Sequence, residues 1–352
     1  MHVLYVTQLI ISWLLIVAVL LPFIKNDYWV FRILEYPRYQ KLILCVFVLS
    51  SLLLNNIYTN AFGLITFVLL GFCVAYLLYK ICPYTRIYKM EMKSIGGRNK
   101  ENQVKLYTAN VYQDNTDYDK ILSQIDKYQP DIVLLLETDK VWEKQMDVLI
   151  KNYPHCFKAP LPNTYGLLFY SKFTIIEGAV KYLVEKDIPS LEAVIELPSK
   201  QHIKIWGLHP KPPVPGEDNR STAKDKELMK VALKAKKEKL PVIVMGDLND
   251  VAWSYVTELF RKTTGLLDPR RGRGFYSTFS ANHWFMRFPL DYVFCSSHFG
   301  LVHMERLAHN GSDHFPMFSH FEYVPELEKV QDKPHADSKE KREVSKKAKR
   351  PV

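Results

Sequence analysis

The sequence predicts an α/β protein in which two β-sheets pack as a sandwich, preceded by a segment of transmembrane helices. Three observations support this prediction. Apolar runs fill most of the first 80 residues, short strand-like runs alternate with a few helical ones after residue 103, and polar residues follow directly after several of those runs. Two packed layers with polar side chains along one rim account for this pattern.

The predicted transmembrane region covers residues 1–90. Apolar runs occupy residues 4–24, 42–57 and 61–80, and their only charge is the lysine that ends the third run. The first run is long enough to cross a hydrocarbon core about 30 Å thick, and aromatic residues flank the runs as they do at membrane interfaces. A cleaved signal peptide is the weaker interpretation, because the first run lacks a charged n-region and a small-residue cleavage site. We therefore expect three membrane-spanning helices.

Basic residues are distributed unevenly around these runs. Lysine and arginine lie between the first and second runs and after the third, whereas the connection at residues 55–60 has none. The positive-inside rule then predicts an integral protein of the plasma or inner membrane with its soluble part in the cytoplasm. An extracytoplasmic soluble part is the alternative.

The soluble part begins after a linker at residues 91–102. Apolar and alternating runs predict strands at the following residues: 104–108, 131–137, 165–170, 193–197, 202–208, 242–245, 290–294 and 314–321. A helix can begin at Thr116 or Asp117, both good capping residues, and Pro130 ends it. Residues 221–239 predict a second, lysine-rich amphipathic helix.

The C-terminal residues 325–352 are dense in charged residues and almost free of aromatics. Such a composition buries too little apolar surface to offset the entropy of ordering, so this tail is predicted to be disordered. The chain carries a net charge of +10, and a basic tail could contact anionic lipid headgroups or nucleic acid. A solvated terminus is the simpler interpretation and the one we favour. The five cysteines have no paired spacing, which excludes a zinc knuckle or a disulfide framework.

Polar residues stand directly beyond the apolar runs at eight positions: Asn110, Glu137, His209, Asp247, Asn249, Asp291, Asp313 and His314. A buried carboxylate without a partner is costly, so Glu137 at the end of a fully apolar strand requires a cation or several hydrogen bonds. One such residue could be a turn former or a helix cap. Eight in the same setting predict a functional site.

Six short motifs carry these residues: LYTAN (106–110), PDIVLLLE (130–137), GLHP (207–210), VMGDLN (244–249), PLDYV (289–293) and GSDHFP (311–316). Their order and approximate spacing resemble the exonuclease III/DNase I-like superfamily of endonucleases, exonucleases and phosphatases. The resemblance covers residues 104–321 and implies a domain of that type at residues 103–324. The GDLN and SDH motifs, together with the upstream glutamate, are its most specific part.

The resemblance implies a hydrolase of phosphoester bonds that uses Mg²⁺, with Mn²⁺ as an alternative ion. It implies that Glu137 is the principal metal ligand, that Asn110 lies beside it, and that Asp313 lies near the metal or its waters. Tyr112 stands where some relatives have an acidic residue, which leaves the number of metal ions open.

The catalytic roles are also implied by the resemblance. Asp247, helped by Asn249, would orient or deprotonate the attacking water, and His209 would offer a proton to a phosphate oxygen. His314 would contact the scissile phosphate while Asp291 holds its ring. Whether Asp247 or the Asp291–His314 pair is the base stays open.

Two further features are interpreted from position alone. Arg220, just before the second predicted helix, could bind a substrate anion or form a surface ion pair. The aromatic segment 282–288 precedes the predicted strand at residues 290–294, so it could lie at the rim and contact bases or lipid, or pack in the core.

The sequence thus predicts a membrane-anchored phosphodiesterase or phosphatase acting on a membrane-proximal or lipid-linked substrate. A membrane-bound nuclease acting on nucleic acid is the first alternative. A catalytically inactive membrane scaffold is the second, although retention of the charged residues argues against it. The expected partners are the lipid bilayer and the phosphoester substrate, with no obligate protein partner.

Overall fold

The computed structural model describes residues 2–352, and its N-terminal part is helical. Three long helices, α1 (His2–Leu20), α3 (Arg38–Leu54) and α4 (Ala61–Ile81), pack around one apolar cluster, and the short α2 (Trp29–Ile33) lies between the first two. Two of these segments, Val3–Phe23 and Ala61–Tyr84, are long and apolar enough to cross a membrane.

The second predicted span differs from these two. Its helix, α3, has 17 residues and begins with the polar turn Arg38–Lys41, so it covers residues 38–54 rather than 42–57. Asn55 ends it, and a short 3₁₀ turn leads into α4. The helix forms, but it is shorter than the other two and carries charge at one end.

The soluble part contains eleven strands: β1 (Gln103–Asn110), β2 (Ile132–Leu136), β3 (His155–Ala159), β4 (Leu167–Ser171), β5 (Ile175–Lys181), β6 (Ser190–Glu196), β7 (His202–Leu208), β8 (Val242–Asp247), β9 (Asp291–Cys295), β10 (Phe299–Arg306) and β11 (Met317–Tyr323). Five helices accompany them: α5 (Tyr118–Tyr128), α6 (Lys140–Met146), α7 (Thr222–Lys237), α8 (Tyr255–Thr264) and α9 (Ser338–Lys349).

The strands form two sheets. The first has the order β10-β11-β1-β2-β4-β3 and the second has the order β5-β6-β7-β8-β9. Only β1–β2 and β7–β8 are parallel pairs, and each belongs to a different sheet. The predicted two-sheet α/β sandwich is therefore confirmed.

The central strands are buried on both faces. Side chains such as Leu134 and Met245 meet between the two sheets, while Val133 and Val244 pack under the outer helices. All four are fully buried. This two-sided burial explains why β2 and β8 are unbroken apolar runs rather than alternating ones.

Three strands that the sequence did not predict, β3, β5 and β10, are all edge strands. An edge strand is covered on fewer sides, so it tolerates polar residues and loses the apolar signature. In β5, for example, Glu177 is exposed between Ile176 and Gly178, which are also exposed.

The prediction of a disordered tail at residues 325–352 is wrong. Its α9 begins with a capping box, in which Asp337 and Glu340 each accept a backbone N–H of the other. Val344 and Ala348, one helical turn apart, are buried in the apolar cluster beneath α7 and α8. Apart from two serines, the rest of the helix is charged, and ion pairs such as Lys347–Asp225 at 2.8 Å hold it as well.

The predicted linker at residues 91–102 is also held in place. Met92 is fully buried, and the backbone of Lys93 and Ile95 forms hydrogen bonds with Leu301 of β10. The segment therefore lies along the sheet edge rather than moving as a free connection.

Candidate active site

The topology of the two sheets places the predicted polar residues at one rim. Because β1 and β2 are parallel, Asn110 and Glu137 lie at the same end of the first sheet, where the carboxyl ends of these two strands meet. The parallel pair β7 and β8 brings His209 and Asp247 to the corresponding edge of the second sheet. The antiparallel β8–β9 register then sets Asp291 opposite Asp247.

The side chain of Asn110 joins the two sheets. Its Nδ2 donates to Oε1 of Glu137 at 2.6 Å and to Oδ2 of Asp247 at 3.2 Å. Its Oδ1 accepts the backbone N–H of Tyr112 at 3.1 Å. One amide therefore bridges two carboxylates that would otherwise repel each other.

Backbone conformations at this rim are unusual. Glu137 and Asn249 have φ angles of 60° and 49°, in the left-handed region that side-chain-bearing residues rarely adopt. Gly246, with φ of 130°, leaves no space for a Cβ, which would collide with the carbonyl oxygen of Leu208. Strained backbone persists where the surroundings enforce it, and it is concentrated at functional sites.

His314 lies between two carboxylates. Its Nδ1 is 2.9 Å from Oδ2 of Asp291, and its Nε2 is 3.6 Å from Oδ2 of Asp247. Burial alone would lower the pKa of His314, but the two carboxylates outweigh it and raise the pKa to about 10. The ring is therefore an imidazolium at neutral pH.

The carboxylates of Glu137 and Asp247 have too little positive charge nearby to balance their own. Burial raises the pKa of Glu137 to about 7, and burial also raises that of Asp247 to about 7 despite the nearby His314 charge. Among residues 2–352, Asn110 is the one side chain that donates a hydrogen bond to Glu137. Such a pair of buried, under-compensated oxygen ligands fits a hard divalent cation.

His209 differs from His314 although both rings are buried. Burial, followed by the charge of His314, lowers the pKa of His209 to about 3, so this ring is neutral. Its Nε2 lies 3.9 Å from both Glu137 and Asp247, and its face packs on Tyr165. A neutral ring can donate an N–H, but it is not an acid at neutral pH.

The loop before His314 is attached to β1. Ser312 Oγ donates to the backbone carbonyl of Asn110 at 2.8 Å and accepts the N–H of His314 at 3.0 Å. Gly311 has a φ of 100°, and a Cβ there would collide with Asn115. Asp313 is half-buried beside His314, and its negative charge contributes to the raised pKa of that ring.

The other predicted site residues fall into two groups. Asn249 lies next to the cluster formed by Asn110, Glu137, Asp247, Asp291 and His314. Its backbone N–H donates to Asp247, and its side chain donates to the carbonyl of Pro210. Arg220 lies outside the cluster, where its guanidinium pairs with Asp27 at 2.7 Å. Of the two interpretations for Arg220, the structure shows the ion pair.

Sequence reasoning missed two residues that support the Asp291–His314 pair. Thr278 Oγ1 accepts the backbone N–H of Asp291 at 3.2 Å, and the ring of Phe279 lies 4.9 Å from that of His314. Neither follows an apolar run, so the rule that found the other residues could not find them.

Three side chains of the cluster also satisfy a simple metal-ligand spacing. Asp247, Asp291 and His314 each offer a ligand atom, and these atoms lie within 4.8 Å of one another. The 2.9 Å contact between Nδ1 of His314 and Oδ2 of Asp291 is, however, a charge-assisted hydrogen bond that already occupies these two atoms. Glu137 and Asp247 remain the ligands with charge to spare.

Comparisons with known proteins agree with this geometry. Residues 107–314 match the model of the endonuclease/exonuclease/phosphatase family. No curated protein matches the chain.

Solved structures share the fold. A humanized D. rerio TDP2 is 19% identical with a TM-score of 0.52, and the match covers 62% of this chain and 99% of that one. The catalytic domain of human nocturnin is 18% identical with a TM-score of 0.53, covering 67% and 98%. A Bacteroides thetaiotaomicron mannosyl-6-phosphatase is 17% identical with a TM-score of 0.50, covering 62% and 100%. Since the family match spans more than half of the sequence, the chain belongs to the endonuclease/exonuclease/phosphatase family.

Proposed function

We propose that the protein is a membrane-anchored, Mg²⁺-dependent hydrolase of phosphoester bonds in a membrane-proximal or lipid-linked substrate. One observation carries the proposal: a buried, acid-rich cluster with a protonated histidine is built on a domain that packs directly against long apolar helices. The family membership supports the reaction class, and the helices support the location.

Phosphoester hydrolysis needs neutralised charge on the phosphate, an activated water and support for the leaving oxygen. The His314 imidazolium, held by Asp291, donates to a phosphate oxygen. Asp247 orients the attacking water and accepts its proton. His209 contributes an N–H from a neutral ring.

Glu137 and Asp247 would hold the metal, with Asn110 fixing their separation and Asp313 at the edge of the site. Mg²⁺, when bound, supplies positive charge against the phosphate oxygens. Mn²⁺ has the same preference for oxygen ligands and is the alternative ion.

The membrane anchor is supported by exposure. In each of the two long apolar segments, only 28% of the apolar window is buried within the protein. Phe72 in the second of these segments is 69% exposed, and Phe47 in the neighbouring α3 is 71% exposed. In water these surfaces would be a large apolar patch, whereas a bilayer would cover them.

Hydrolysis of a substrate panel by the full-length protein in detergent tests the proposal. The panel holds bis-p-nitrophenyl phosphate, a phospholipid, sphingomyelin, an isoprenyl pyrophosphate and plasmid DNA. We expect Mg²⁺-dependent turnover that is lost in Asp247→Asn and His314→Ala. The matched controls, Asp332→Asn and His303→Ala, alter exposed residues of the same types and should keep activity.

Failure to hydrolyse any panel member, by a folded protein that does not bind Mg²⁺, would favour the inactive scaffold. Turnover of DNA alone would favour the nuclease. The side of the membrane is a separate test: in sealed cells, protease from outside should leave the soluble part intact if the positive-inside prediction holds.

A further inference from the structure

A large cavity lies between the start of α3 and the loops before β9, outside the catalytic cluster. Its volume is about 910 Å³. Tyr39, Ile43 and Leu44 of α3 line one side, and Phe275, Trp284 and Phe285 line the other. Its size is that of a small-molecule binding site, and its walls are mostly apolar.

Several of the lining residues expose apolar surface. Ile43 and Leu44 are 52% and 51% exposed, and Trp284 and Phe285 are 81% and 55% exposed. Gln40 at the start of α3 donates to the carbonyl of Phe285 at 2.8 Å, which fixes the aromatic loop beside the helix. Exposed tryptophan and phenylalanine beside the polar end of an apolar helix are typical of a membrane interface.

The cavity is also positively charged. Four arginines line it, and none forms an ion pair with a carboxylate of residues 2–352: Arg86, Arg273, Arg287 and Arg306. The one lining acid, Glu305, contacts Tyr128 and His303 instead. Arg273 and Arg306 donate to backbone carbonyls, but no carboxylate among the described residues neutralises any of the four charges. Guanidinium groups without a counter-charge beside an apolar wall match an anionic group attached to a hydrocarbon chain.

Two of these arginines connect the cavity to the catalytic cluster. The guanidinium groups of Arg287 and Arg306 lie 5.0 and 4.3 Å from the ring centre of Phe315, the residue after His314. Burial and the charge of Arg287 lower the pKa of Arg306, as expected for like charges held close together. The buried Nε of Arg287 has no hydrogen-bond partner within the described chain.

The loop that lines the cavity continues to the same histidine. Arg306 donates to the carbonyl of Ser277 at 2.7 Å, and Ser277 lines the cavity. Two residues later, Phe279 packs on the His314 ring. An anionic head beside Arg287 and Arg306 would therefore lie against the segment that carries His314, while its chain extends toward α3.

We propose that this cavity binds the substrate, and that the substrate is an amphiphile: a phosphoester that carries a long hydrocarbon chain. The chain lies between α3 and the loop of Phe275 and Phe285, and Arg287 and Arg306 bind the anionic head. This inference rests on the proposed hydrolase function and names its substrate class. Nucleic acid fits less well, because most of the wall is apolar and part of it belongs to α3.

Binding is tested without turnover, using full-length protein at a fixed detergent concentration. The probe is dodecylphosphonate, whose C–P bond is not hydrolysed, and methylphosphonate is its short-chain counterpart. We expect calorimetric titration to detect the dodecyl compound only. Leu44→Trp fills the cavity and Arg287→Gln removes a charge, so each should weaken binding about tenfold.

The matched control is Leu53→Trp. Leu53 lies on the same helix and is 52% exposed, but it does not line the cavity. The Leu53→Trp protein should bind dodecylphosphonate with the same affinity as the original protein. Equal affinity in the Leu44→Trp and Leu53→Trp proteins, with Arg287→Gln also unchanged, would overturn the inference.

Turnover separates this inference from the proposed function. Dodecyl and methyl p-nitrophenyl phosphate both react when water replaces p-nitrophenolate at phosphorus. We expect kcat/KM to be at least about tenfold higher for the dodecyl ester, and this preference to fall in Leu44→Trp.

Equal turnover of both esters, unaffected by Leu44→Trp, would contradict the cavity and leave the hydrolase intact. Absence of turnover with dodecylphosphonate binding that Leu44→Trp still weakens would contradict the hydrolase and support the cavity. An oligonucleotide that is hydrolysed better than the dodecyl ester and displaces dodecylphosphonate would overturn the choice of substrate class.

Discussion

Two buried aspartates in the same sandwich, Asp247 and Asp268, have opposite electrostatic environments. Asp268 accepts two hydrogen bonds from the guanidinium of Arg270, at 3.0 and 2.8 Å. Burial would raise the pKa of Asp268, but Arg270 outweighs it and the pKa is lowered. Within residues 2–352, the cation nearest to Asp247 is the His314 ring at 3.6 Å, which also pairs with Asp291, and burial raises the pKa of Asp247 to about 7.

This difference distinguishes a structural acid from one that is available for catalysis. The charge of a buried acid with its own cation is balanced, and the fold depends on that pair. A buried acid that shares its one cation with a second acid can still bind a proton or a metal ion, because either reduces the cost of burying its charge. Arg270 also donates to the carbonyl of Asp291. The charge-balanced Asp268–Arg270 pair (the completed pair) therefore supports the neighbouring cluster around Asp247, whose acids are not fully neutralised (the incomplete cluster).

The largest expected effect comes from breaking the completed pair. Asp268→Asn leaves the Arg270 guanidinium buried without a counter-charge. We expect the free energy of unfolding to fall by about 3–5 kcal/mol, measured by denaturant titration in detergent. Asp332→Asn, which alters an exposed acid, is the control and should unfold like the original chain. An unchanged unfolding midpoint for Asp268→Asn would show that the pair is not structural.

The corresponding change in the incomplete cluster should affect rate rather than stability. Asp247→Asn removes the proposed base and one metal ligand while keeping the side-chain size. We expect kcat to fall by about 10²–10³-fold with little loss in the unfolding midpoint. A folded Asp247→Asn protein with undiminished kcat would exclude Asp247 from the chemistry.

A third buried acid, Glu227, tests whether a carboxylate without a nearby counter-charge must belong to a catalytic site. Glu227 on α7 has only Ser190 as a hydrogen-bond partner, and burial raises its pKa to about 7. A raised pKa in the folded state means that the fold is most stable below the unfolded pKa of about 4.5 and loses stability as pH rises through about 7. Glu227→Gln should therefore stabilise the protein at pH 8 by up to about 3 kcal/mol and have little effect at pH 4, without changing kcat.

Thermal unfolding measured from pH 4 to pH 8 checks this expectation. The difference in Tm between the two proteins should grow with pH. A difference that is constant across this range would mean that Glu227 is not the titrating group.

The smallest effect concerns metal binding in the absence of substrate. If Glu137 and Asp247 hold Mg²⁺, the ion should stabilise the fold by about 2.7 kcal/mol at a concentration about 100 times its Kd. Differential scanning fluorimetry measures the shift in Tm. Glu137→Gln should reduce the shift, whereas the same shift in both proteins would place the ion elsewhere.

The sequence predicted the centre of the molecule better than its edges. Strands β2 and β8 are buried on both faces, so their composition is unmistakable, and residues directly beyond them, such as Glu137 and Asp247, could be singled out. The edge strands β3, β5 and β10 share their exposure with water and lack that signature. Arg287 and Arg306 come together on Phe315 only through tertiary packing, so no local pattern indicated them.

The charged tail at residues 325–352 also shows that local composition does not reveal tertiary contacts. Its composition predicts disorder, yet Val344 and Ala348 find an apolar surface formed by α7 and α8. Composition reports what a segment can bury by itself, and it does not report what another part of the chain offers. The extent of the soluble domain therefore had to come from the structure.

The segment between α1 and α3 has one more consequence. The hydroxyl of Tyr36 donates to the carbonyl of Asn249 at 2.8 Å, and Arg38 donates to that of Trp253 at 3.0 Å. Residues at the start of α3 and just before it thus support the loop that follows Asp247. Cutting the chain before Gln103 would remove these contacts together with the long apolar helices, and the loop would lose part of its support.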